Sequence, residues 1–262
     1  MDLKNKKVFI TGGSAGIGKA MIKELLQRGA KNIAILGRKE APMEKLEKEF
    51  SSANFLLIQG DVSQPKDIER GIALITRTWG ELDILINNAG VVSAGLLSDL
   101  SDDDIIQQIN VNLTGLILLT KKSLPLLKNS REGAIMNISS GYGYIAMPFY
   151  SVYAATKAAV QQFSDAMRRE LHQYPLHVMT VYPSATDTNM MKTAKVGAMD
   201  SPEEVARLSI DGLISKEINV ILGGEERKQQ INLNFTHPRK MDEIAIENYE
   251  NLEERTRRHR SM

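Results

Sequence analysis

A tyrosine and a lysine lie four positions apart in the stretch from Ser140 to Lys157, which reads SGYGYIAMPFYSVYAATK. Residues i and i+4 share one face of a helix, so Tyr153 and Lys157 point into the same space if the alanine-rich segment from Tyr150 is helical. A phenol has a reference pKa of roughly 10, and a nearby ammonium would lower it toward the operating pH that suits proton transfer. The pair therefore predicts acid–base chemistry, although such a pair also arises on helices by chance.

A glycine-rich turn follows the first apolar run. It reads TGGSAGIG from Thr11 to Gly18, and its glycines let the backbone turn tightly and approach a pyrophosphate closely. The turn follows a predicted strand and opens a predicted helix, which is the context that a dinucleotide motif requires. The spacing, Gly-x3-Gly-x-Gly, departs from the strict G-x-G-x-x-G pattern, and a purely structural turn is the alternative. We expect nucleotide binding here.

Short apolar runs alternate with longer amphipathic stretches along the chain, which is the pattern of βαβ units and a parallel sheet. The apolar runs show little alternation of polar and apolar residues, as expected when helices cover both faces of the sheet. Seven strands are predicted, at Lys7–Thr11, Asn32–Gly37, Asn54–Gly60, Ile84–Asn87, Ala134–Ile138, His177–Tyr182 and Asn219–Leu222. Six helices are predicted between them, at about Ile17–Arg28, Met43–Phe50, Lys66–Trp79, Asp102–Asn129, Tyr150–His172 and Pro202–Ser215.

The composition becomes more polar after Gly224. We expect an extended polar segment there, followed by a charged helix at about Met241–His259. The basic end of the run EERTRRHR, from Glu253 to Arg260, is interpreted as a solvated helix terminus that complements the helix dipole. The predicted organisation is a single catalytic domain over residues 1–224 with a C-terminal helical extension, 225–262, packed on or near it.

The overall composition excludes several classes of protein. The 262 residues suffice for one large α/β domain, and 33 basic against 32 acidic residues give a net charge of +1, so no charge excess points to nucleic acid or an anionic membrane. There are no cysteines, which excludes disulfides and thiolate chemistry. His172 and His237 show no metal-ligand spacing, so no metal is expected. No apolar run reaches the roughly 18 residues of a membrane span, and we expect a cytoplasmic protein.

Several short motifs occur in one order along the chain: TGGSAGIG, Asn87-Asn88-Ala89-Gly90, Asn112 within NVNLTG, Ser140 within NISSG, Tyr153-x3-Lys157 and Pro183 within YPSATDT. Over about residues 5–222 this series resembles that of the short-chain dehydrogenases/reductases. The resemblance implies an α/β fold with a doubly wound, seven-stranded parallel sheet (Rossmann fold) and NAD(P) bound across its carboxyl edge.

The resemblance also implies roles for four catalytic residues. Tyr153 would exchange a proton with the oxygen of a carbonyl or an alcohol, and Lys157 would bond the nicotinamide ribose and lower the pKa of Tyr153. Ser140 would orient the same substrate oxygen and stabilise charge that develops on it. Asn112 would position Lys157 through water and extend the proton relay.

Further positions bind the cofactor by the same resemblance. Asp61 and Val62 would hold the adenine ring, and Asn88-Ala89-Gly90 would pass beneath the cofactor. The predicted cofactor-binding residues are Gly12, Ser14, Gly16, Ile17, Gly18, Arg38, Asp61, Val62, Asn88, Ala89, Gly90, Tyr153, Lys157, Pro183, Thr186 and Thr188.

The end of the second strand bears on the choice of cofactor. NAD-selective proteins present an Asp or Glu about 20 residues beyond the glycines, where it bonds the ribose 2′-hydroxyl. Here Gly37 occupies that place, and Arg38 follows with a guanidinium able to bond a 2′-phosphate bidentately. The alternative is that Arg38 and Lys39 are simply a basic turn. We expect NADP(H) to be preferred over NAD(H).

The substrate is predicted from the segments that would border the nicotinamide. They hold aromatic and methionine side chains, namely Tyr142, Tyr144, Met147, Phe149, Tyr150, Met190, Met191 and Met199. A flexible, largely apolar pocket favours a hydrophobic ketone, aldehyde or secondary alcohol. Two functions stay open: an NADP(H)-dependent carbonyl reductase or alcohol dehydrogenase, and a non-catalytic dinucleotide-binding sensor or scaffold protein. The complete proton-relay set favours the enzyme.

The predicted helix from Asp102 has apolar residues on more than one side, so we expect it to bury one face on the sheet and another on a partner. A homodimer or homotetramer through this helix and the helix of Tyr153 is expected, as the resemblance also implies. The segment Ile221-Leu222-Gly223-Gly224 lacks the Asp of the VDGG with which members of the family often end, which leaves dimer against tetramer open.

Overall fold

The computed structural model describes residues 1–194 and 197–262. Within them, seven strands form one parallel sheet in the order β3-β2-β1-β4-β6-β7-β8. Two further short strands, β5 and β9, pair with each other outside this sheet. In chain order the strands of the described residues are β1 (Lys7–Thr11), β2 (Asn32–Gly37), β3 (Asn54–Gln59), β4 (Ile84–Asn87), β5 (Val92–Ser93), β6 (Gly133–Ile138), β7 (Leu176–Tyr182), β8 (Asn219–Ile221) and β9 (Arg260–Ser261). The order reverses between β1 and β4, and ligands of open α/β sheets bind at such a switch point. The predicted doubly wound sheet is confirmed.

Helices cover both faces of the sheet. They are α1 (Gly16–Gln27), α2 (Glu40–Glu49), α3 (Pro65–Trp79), α4 (Asp102–Ile109), α5 (Gly115–Leu127), α6 (Ser151–Glu170), α7 (Pro202–Ser215), α8 (Gly224–Thr236), α9 (Pro238–Glu247) and α10 (Tyr249–Thr256). On one face α1 packs against α7, where Leu25 and Ile210 are buried in one apolar cluster. On the other face α3 packs against α5, where Ile75 and Leu126 are buried in a second cluster. Each such side chain contributes about 1.5–3 kcal/mol when it is fully buried.

The seven predicted strands all exist, and their ends differ from the prediction by at most one residue. The reason is local: all six residues of β6 are buried, as a strand covered on both faces requires. An uninterrupted apolar run is therefore a direct sequence signal for a central strand of this sheet.

The long helix predicted at Asp102–Asn129 is present as a continuous helical segment that ends at Leu127, but it is not α-helical throughout. A π-helical turn over Asn110–Thr114 separates α4 from α5. A Cβ atom on Gly115 would lie 2.5 Å from the carbonyl oxygen of Val62, so the chain passes close to the loop after β3 at this point. π-helical turns are frequent at functional sites, and this one contains Asn112.

The extended polar segment predicted after Gly224 is wrong, because α8 begins at that residue. The charged helix predicted at Met241–His259 is divided into α9 and α10, which meet at Asn248. Pro238 begins α9 at a position where a missing N–H costs no helical hydrogen bond. The extension is thus helical from its first residues.

The chain then returns to the main domain. Ser261 and Arg260 pair antiparallel with Val92 and Ser93, and the Arg260 guanidinium donates to both carboxylate oxygens of Asp104 at 3.0 and 2.8 Å. These contacts hold the end of the described chain against the loop that follows β4.

Within residues 1–194 and 197–262, no helix is long and apolar enough to cross a lipid bilayer.

Candidate active site

A cleft of about 1470 Å³ opens where β1, β2, β4, β6 and β7 end. All the predicted cofactor-binding residues line it, from Gly12 to Thr188, and Ser140 lines it together with Tyr153 and Lys157. Asn112 does not line the cleft and is only 1% exposed. The fold therefore brings the predicted site residues together, with Asn112 behind the others.

The glycine-rich turn forms one end of the cleft. Gly12 and Gly16 have φ angles of +66° and +50°, a backbone region that favours glycine. A Cβ atom on Gly18 would lie 2.6 Å from Asn88 Nδ2 and closer still to the carbonyl oxygen of Gly12. Helix α1 begins at Gly16 without a side-chain cap, so its first N–H groups have no helical partner and lie at the positive end of the helix dipole. These features fit a dinucleotide pyrophosphate.

Asn88 ties the ends of β1 and β4 together at the floor of the cleft. The Thr11 hydroxyl accepts hydrogen bonds from the backbone N–H groups of Asn88 and Ala89 at 3.1 and 3.0 Å. The Asn88 side chain donates to the carbonyl oxygen of Thr11 at 3.0 Å. The segment thus stabilises the central sheet by linking β1 to β4, and it also forms a surface over which a ligand can lie.

The turn after β6 positions Ser140 beside the helix that carries Tyr153 and Lys157. Ser139 Oγ donates to the carbonyl oxygen of Lys157 at 2.8 Å, and Lys157 Nζ donates to the carbonyl oxygen of Ile138 at 2.9 Å. Both bonds join α6 to the end of β6. The hydroxyl of Ser140 accepts from the backbone N–H of Tyr142 at 3.2 Å and lies close enough to Tyr153 to lower the pKa of its phenol.

Burial controls the ionisation of both catalytic candidates on α6. It raises the pKa of Tyr153 to about 12, against a smaller lowering by the hydroxyl of Ser140. It lowers the pKa of Lys157 to about 8, since burial disfavours the charged form of each group. In the chain by itself burial thus raises the pKa of Tyr153, and the lowering of that pKa by Lys157 stays a prediction.

Asn112 connects the π-helical turn with two neighbouring elements. Its Oδ1 accepts from the backbone N–H of Val91 at 2.8 Å, and its Nδ2 donates to the Val91 carbonyl at 2.9 Å and to Thr156 Oγ1 at 3.2 Å. A Cβ atom on Gly90 would lie 3.4 Å from Asn112 Oδ1 and 3.6 Å from Lys157 Nζ. Asn112 and Lys157 therefore flank the same glycine, and the water-mediated role of Asn112 stays a prediction.

Two polar candidates, Arg38 and Asp61, lie where the cleft passes the ends of β2 and β3. The exposed Arg38 guanidinium donates to the backbone carbonyl oxygen of Met262 at 3.3 Å. Asp61 accepts from the backbone N–H and the hydroxyl of Ser63, each at 2.8 Å, so its carboxylate also stabilises a local turn. Both residues line the cleft. The exposed guanidinium of Arg38 lies at the rim of the cleft, where it could bind an anionic group.

The predicted apolar pocket is only partly confirmed. Six of its eight residues line the cleft, namely Tyr142, Met147, Tyr150, Met190, Met191 and Met199. Tyr144 instead packs on Tyr182, with ring centres 4.4 Å apart, and Phe149 packs on Tyr249 at 5.0 Å. Those two residues contribute to packing rather than to the wall of the cleft.

The sequence did not predict the wall that the C-terminal extension provides. His259 is buried, with Nδ1 2.7 Å from the Tyr150 hydroxyl and Nε2 3.0 Å from the Met190 carbonyl oxygen. Arg227 and Arg255 line the same end of the cleft. The interpretation of the basic run as a solvated helix end is therefore wrong for Arg255 and His259. The one available signal was the unusual length of chain after the last strand.

Among residues 1–194 and 197–262, no group of three or more histidine, aspartate or glutamate side chains is arranged so that it could hold a metal ion.

The sheet order and the glycine-rich turn define a dinucleotide-binding type of α/β fold, and Ser140, Tyr153 and Lys157 lie together in its cleft. Residues 6–197 match the model of the short chain dehydrogenase family. The chain belongs to this family of oxidoreductases, which act on CH–OH groups with a nicotinamide dinucleotide.

Individual relatives support the same assignment. The chain is 32% identical to dehydrogenase/reductase SDR family member 7B of Bos taurus over 241 residues, which cover 84% of this chain and 74% of the bovine protein. It is 29% identical to an NADP-dependent 3-hydroxy acid dehydrogenase of Schizosaccharomyces pombe, over 84% of this chain and 91% of that protein. The crystal structure of 3-ketoacyl-(acyl-carrier-protein) reductase from Brucella melitensis complexed with NADH has the same fold, with a TM-score of 0.77 at 23% identity, over 86% of this chain and 99% of that chain.

Proposed function

We propose that this chain is an NADP(H)-dependent oxidoreductase that interconverts a ketone or aldehyde with the corresponding alcohol on a largely apolar substrate. One observation carries the proposal: Ser140, Tyr153 and Lys157 converge on a cleft whose other end is the uncapped helix α1. A hydride transfer coupled to proton transfer requires a proton donor and a dinucleotide site in one continuous space, so this arrangement supports the proposal.

Each catalytic side chain has a distinct part in the reaction. A bound nicotinamide would supply the hydride to the substrate carbon, or accept it in the reverse direction. The phenol of Tyr153 gives its proton to the carbonyl oxygen in reduction and takes one from the alcohol in oxidation. The Ser140 hydroxyl bonds the same oxygen and stabilises the charge that develops on it. Because its pKa is about 12, Tyr153 is protonated at neutral pH and ready to donate.

Lys157 acts through its position at the end of β6. Its ammonium is anchored to the Ile138 carbonyl and lies 5.6 Å from the centre of the Tyr153 ring. From this place it can bond the ribose of a bound cofactor and stabilise a phenolate formed during proton transfer. Asn112 supports this end of the cleft through its hydrogen bonds to Val91 and Thr156.

The preference for NADP(H) rests on Gly37 and Arg38. Gly37 leaves room where NAD-selective proteins have a carboxylate, and Arg38 places an exposed guanidinium at the rim of the cleft. Arginine suits phosphate because its planar group can donate two parallel hydrogen bonds. A relative described as NADP-dependent is consistent with this choice.

We further propose that two copies associate through the outer face of α4 and α5. Ile106 and Ile109 are exposed on α4, and Leu113 and Ile117 are half-buried one and two turns further on. This spacing puts the four side chains on one apolar stripe. A second copy that presents the same stripe would cover it.

The test of the proposed function measures NADPH consumption with a panel of apolar ketones and aldehydes, and NADP⁺ reduction with the matching alcohols. Turnover of panel members with NADPH would support the enzyme. Tight binding of NADPH without turnover of any panel member would favour the other function considered, a non-catalytic sensor or scaffold. Cofactor binding is measured in parallel by titration calorimetry, so that the two outcomes are distinguished.

A further inference from the structure

Two arginines of the C-terminal extension lie at the substrate end of the cleft, and neither forms an ion pair among the described residues. Arg227 belongs to α8 and Arg255 to α10, and both line the cleft. Ion pairs of the described extension join Lys228 to Glu225 and Arg260 to Asp104 but include neither of these arginines. Arg227 and Arg255 differ from Lys228 and Arg260 in that they line the cleft.

Arg255 lies beside the aromatic side chains that surround the proton donor. Its Nε is buried and has no hydrogen-bond partner within the described residues, and its charge acts on the phenols of Tyr142 and Tyr150. The rings of Tyr142 and Tyr150 lie 6.2 and 6.3 Å from the ring of Tyr153. A buried guanidinium N–H without an acceptor is unfavourable, and an anionic ligand at this end of the cleft would provide one.

Arg227 approaches from the side of Ser140. A Cβ atom on Gly141, the residue after Ser140, would lie 3.6 Å from Arg227 Cζ and 3.7 Å from Arg227 Nε. The guanidinium therefore packs over the backbone of the turn that carries the catalytic serine. Arg227 and Arg255 thus border the catalytic group on the sides of Ser140 and of Tyr150.

Two carboxylates, those of Glu226 and Asp200, also line the cleft. Glu226 is exposed and accepts from Gln230 at 3.2 Å, and Asp200 accepts from the hydroxyl of Ser184. Burial lowers the pKa of His259, which disfavours a positive charge there. Both carboxylates stay charged, but no ion pair within the described residues joins either of them to Arg227 or Arg255. The two guanidiniums are therefore available to an anionic group beside Ser140 and Tyr150.

We propose that the substrate carries a carboxylate, held by Arg255 and Arg227, in addition to an apolar body and the reacting carbonyl or hydroxyl group. The substrate class is then an oxo acid and its hydroxy acid. A planar guanidinium binds a carboxylate through two parallel hydrogen bonds, while the methionines and tyrosines of the cleft contact the apolar part. This inference rests on the proposed oxidoreductase function and refines its substrate.

The experiment compares a series of oxo acids with their methyl esters, which keep the carbonyl and the chain but lack the charge. With NADPH and wild-type protein we expect kcat/KM to be at least about tenfold higher for the best acid than for its ester. Arg255→Gln should lower kcat/KM for the acid by about tenfold to a hundredfold, mainly through KM, since it removes a charge-assisted hydrogen bond. The same variant should change the ester by less than about threefold. Arg227→Gln should act in the same direction, and the exposed Lys228→Gln serves as the matched control.

The outcomes separate this inference from the proposed function. If acid and ester are reduced equally well and Arg255→Gln affects neither selectively, the carboxylate site is wrong while carbonyl reduction stands. If wild-type protein reduces no carbonyl, the proposed function fails. Calorimetric titration of the acids into NADP⁺-saturated protein then tests the carboxylate site independently of turnover. Binding that is lost in Arg255→Gln and kept in Lys228→Gln supports the carboxylate site, and the absence of binding to wild-type protein overturns it.

Discussion

Lys157 donates a hydrogen bond to the carbonyl oxygen of Ile138 at 2.9 Å, and its ammonium lies 5.6 Å from the centre of the Tyr153 ring. The lysine is thereby fixed to the end of a central strand while it faces Tyr153, the proposed proton donor, one helical turn away. It is only 4% exposed. The geometry of the proposed acid–base centre is thus set by the junction of β6 and α6 rather than by a flexible loop.

This burial predicts a pH dependence of stability. The folded pKa of Lys157, about 8, lies below the reference value of 10.5, so the unfolded chain binds more protons between these values and the unfolding free energy rises with pH across the window. Below pH 8 the full cost of burying the charge is present. From pH 7 to 9.5 the wild type should gain about 2 kcal/mol relative to Lys157→Met. Urea unfolding of both proteins at the two pH values measures this gain, and an identical pH dependence would contradict it.

Cofactor preference should depend on the end of β2. A charge-assisted contact from Arg38 is worth roughly 1.5–3 kcal/mol, so NADPH should bind about tenfold to a hundredfold more tightly than NADH. The double variant Gly37→Asp with Arg38→Leu should reverse the order. Its new Cβ would lie 3.2 Å from Met43 Sδ, the end of a flexible side chain that can move. Titration of each dinucleotide measures the ratio of the NADPH affinity to the NADH affinity, and Lys39→Leu serves as the control. Equal affinities in the wild type would refute the role of Arg38.

The stripe on α4 and α5 predicts the oligomeric state. Light scattering at micromolar concentration should show at least a dimer for the wild type. Replacing Ile106 and Ile109 by Asp should produce a monomer, because burying two carboxylates against the partner's apolar stripe is unfavourable. Ile246→Asp on α9, at a side chain that is 70% exposed, should leave the dimer intact. A monomeric wild type would rule out this interface.

Gly18 should be essential for the dinucleotide cradle. In Gly18→Ala the new methyl group would meet Asn88 Nδ2 at 2.6 Å and the nearer Gly12 carbonyl oxygen, and overpacking of this kind costs typically 1–3 kcal/mol. We expect NADPH affinity to fall at least about tenfold as the turn is displaced, in line with such a cost. Gly71→Ala is the control, since its Cβ would lie at an ordinary 3.5 Å from Ile58. Unchanged affinity in Gly18→Ala would show that the turn does not hold the cofactor.

The features that sequence alone predicted are those encoded locally. Continuous apolar runs such as β6 determine where the strands lie, and the glycines from Gly12 to Gly18 mark a turn of fixed type. The four-residue spacing of Tyr153 and Lys157 was sufficient to place them on one helix face. For these features the physical cause and the sequence signal lie within a few residues of each other.

The features that were missed depend on contacts between distant parts of the chain. The bond between Tyr150 and His259 joins residues 109 positions apart, and the pair of Asp104 and Arg260 spans 156 positions. No local pattern reveals that a basic helix end returns to the cleft. The effect of burial on the pKa of Tyr153 was missed for a similar reason, because the extent of that burial depends on the whole fold.

Removal of the Tyr153 hydroxyl tests the central claim most directly. Tyr153→Phe deletes the proposed proton donor and leaves the ring in place, so turnover of a substrate identified in the panel should fall by about 10²-fold or more. NADPH affinity should stay within about twofold of the wild type, and Tyr174→Phe, which alters an exposed phenol, should retain full turnover. Single-turnover measurement of NADPH oxidation in the three proteins gives the answer. Turnover retained in Tyr153→Phe would contradict the assignment of Tyr153 as the acid–base residue.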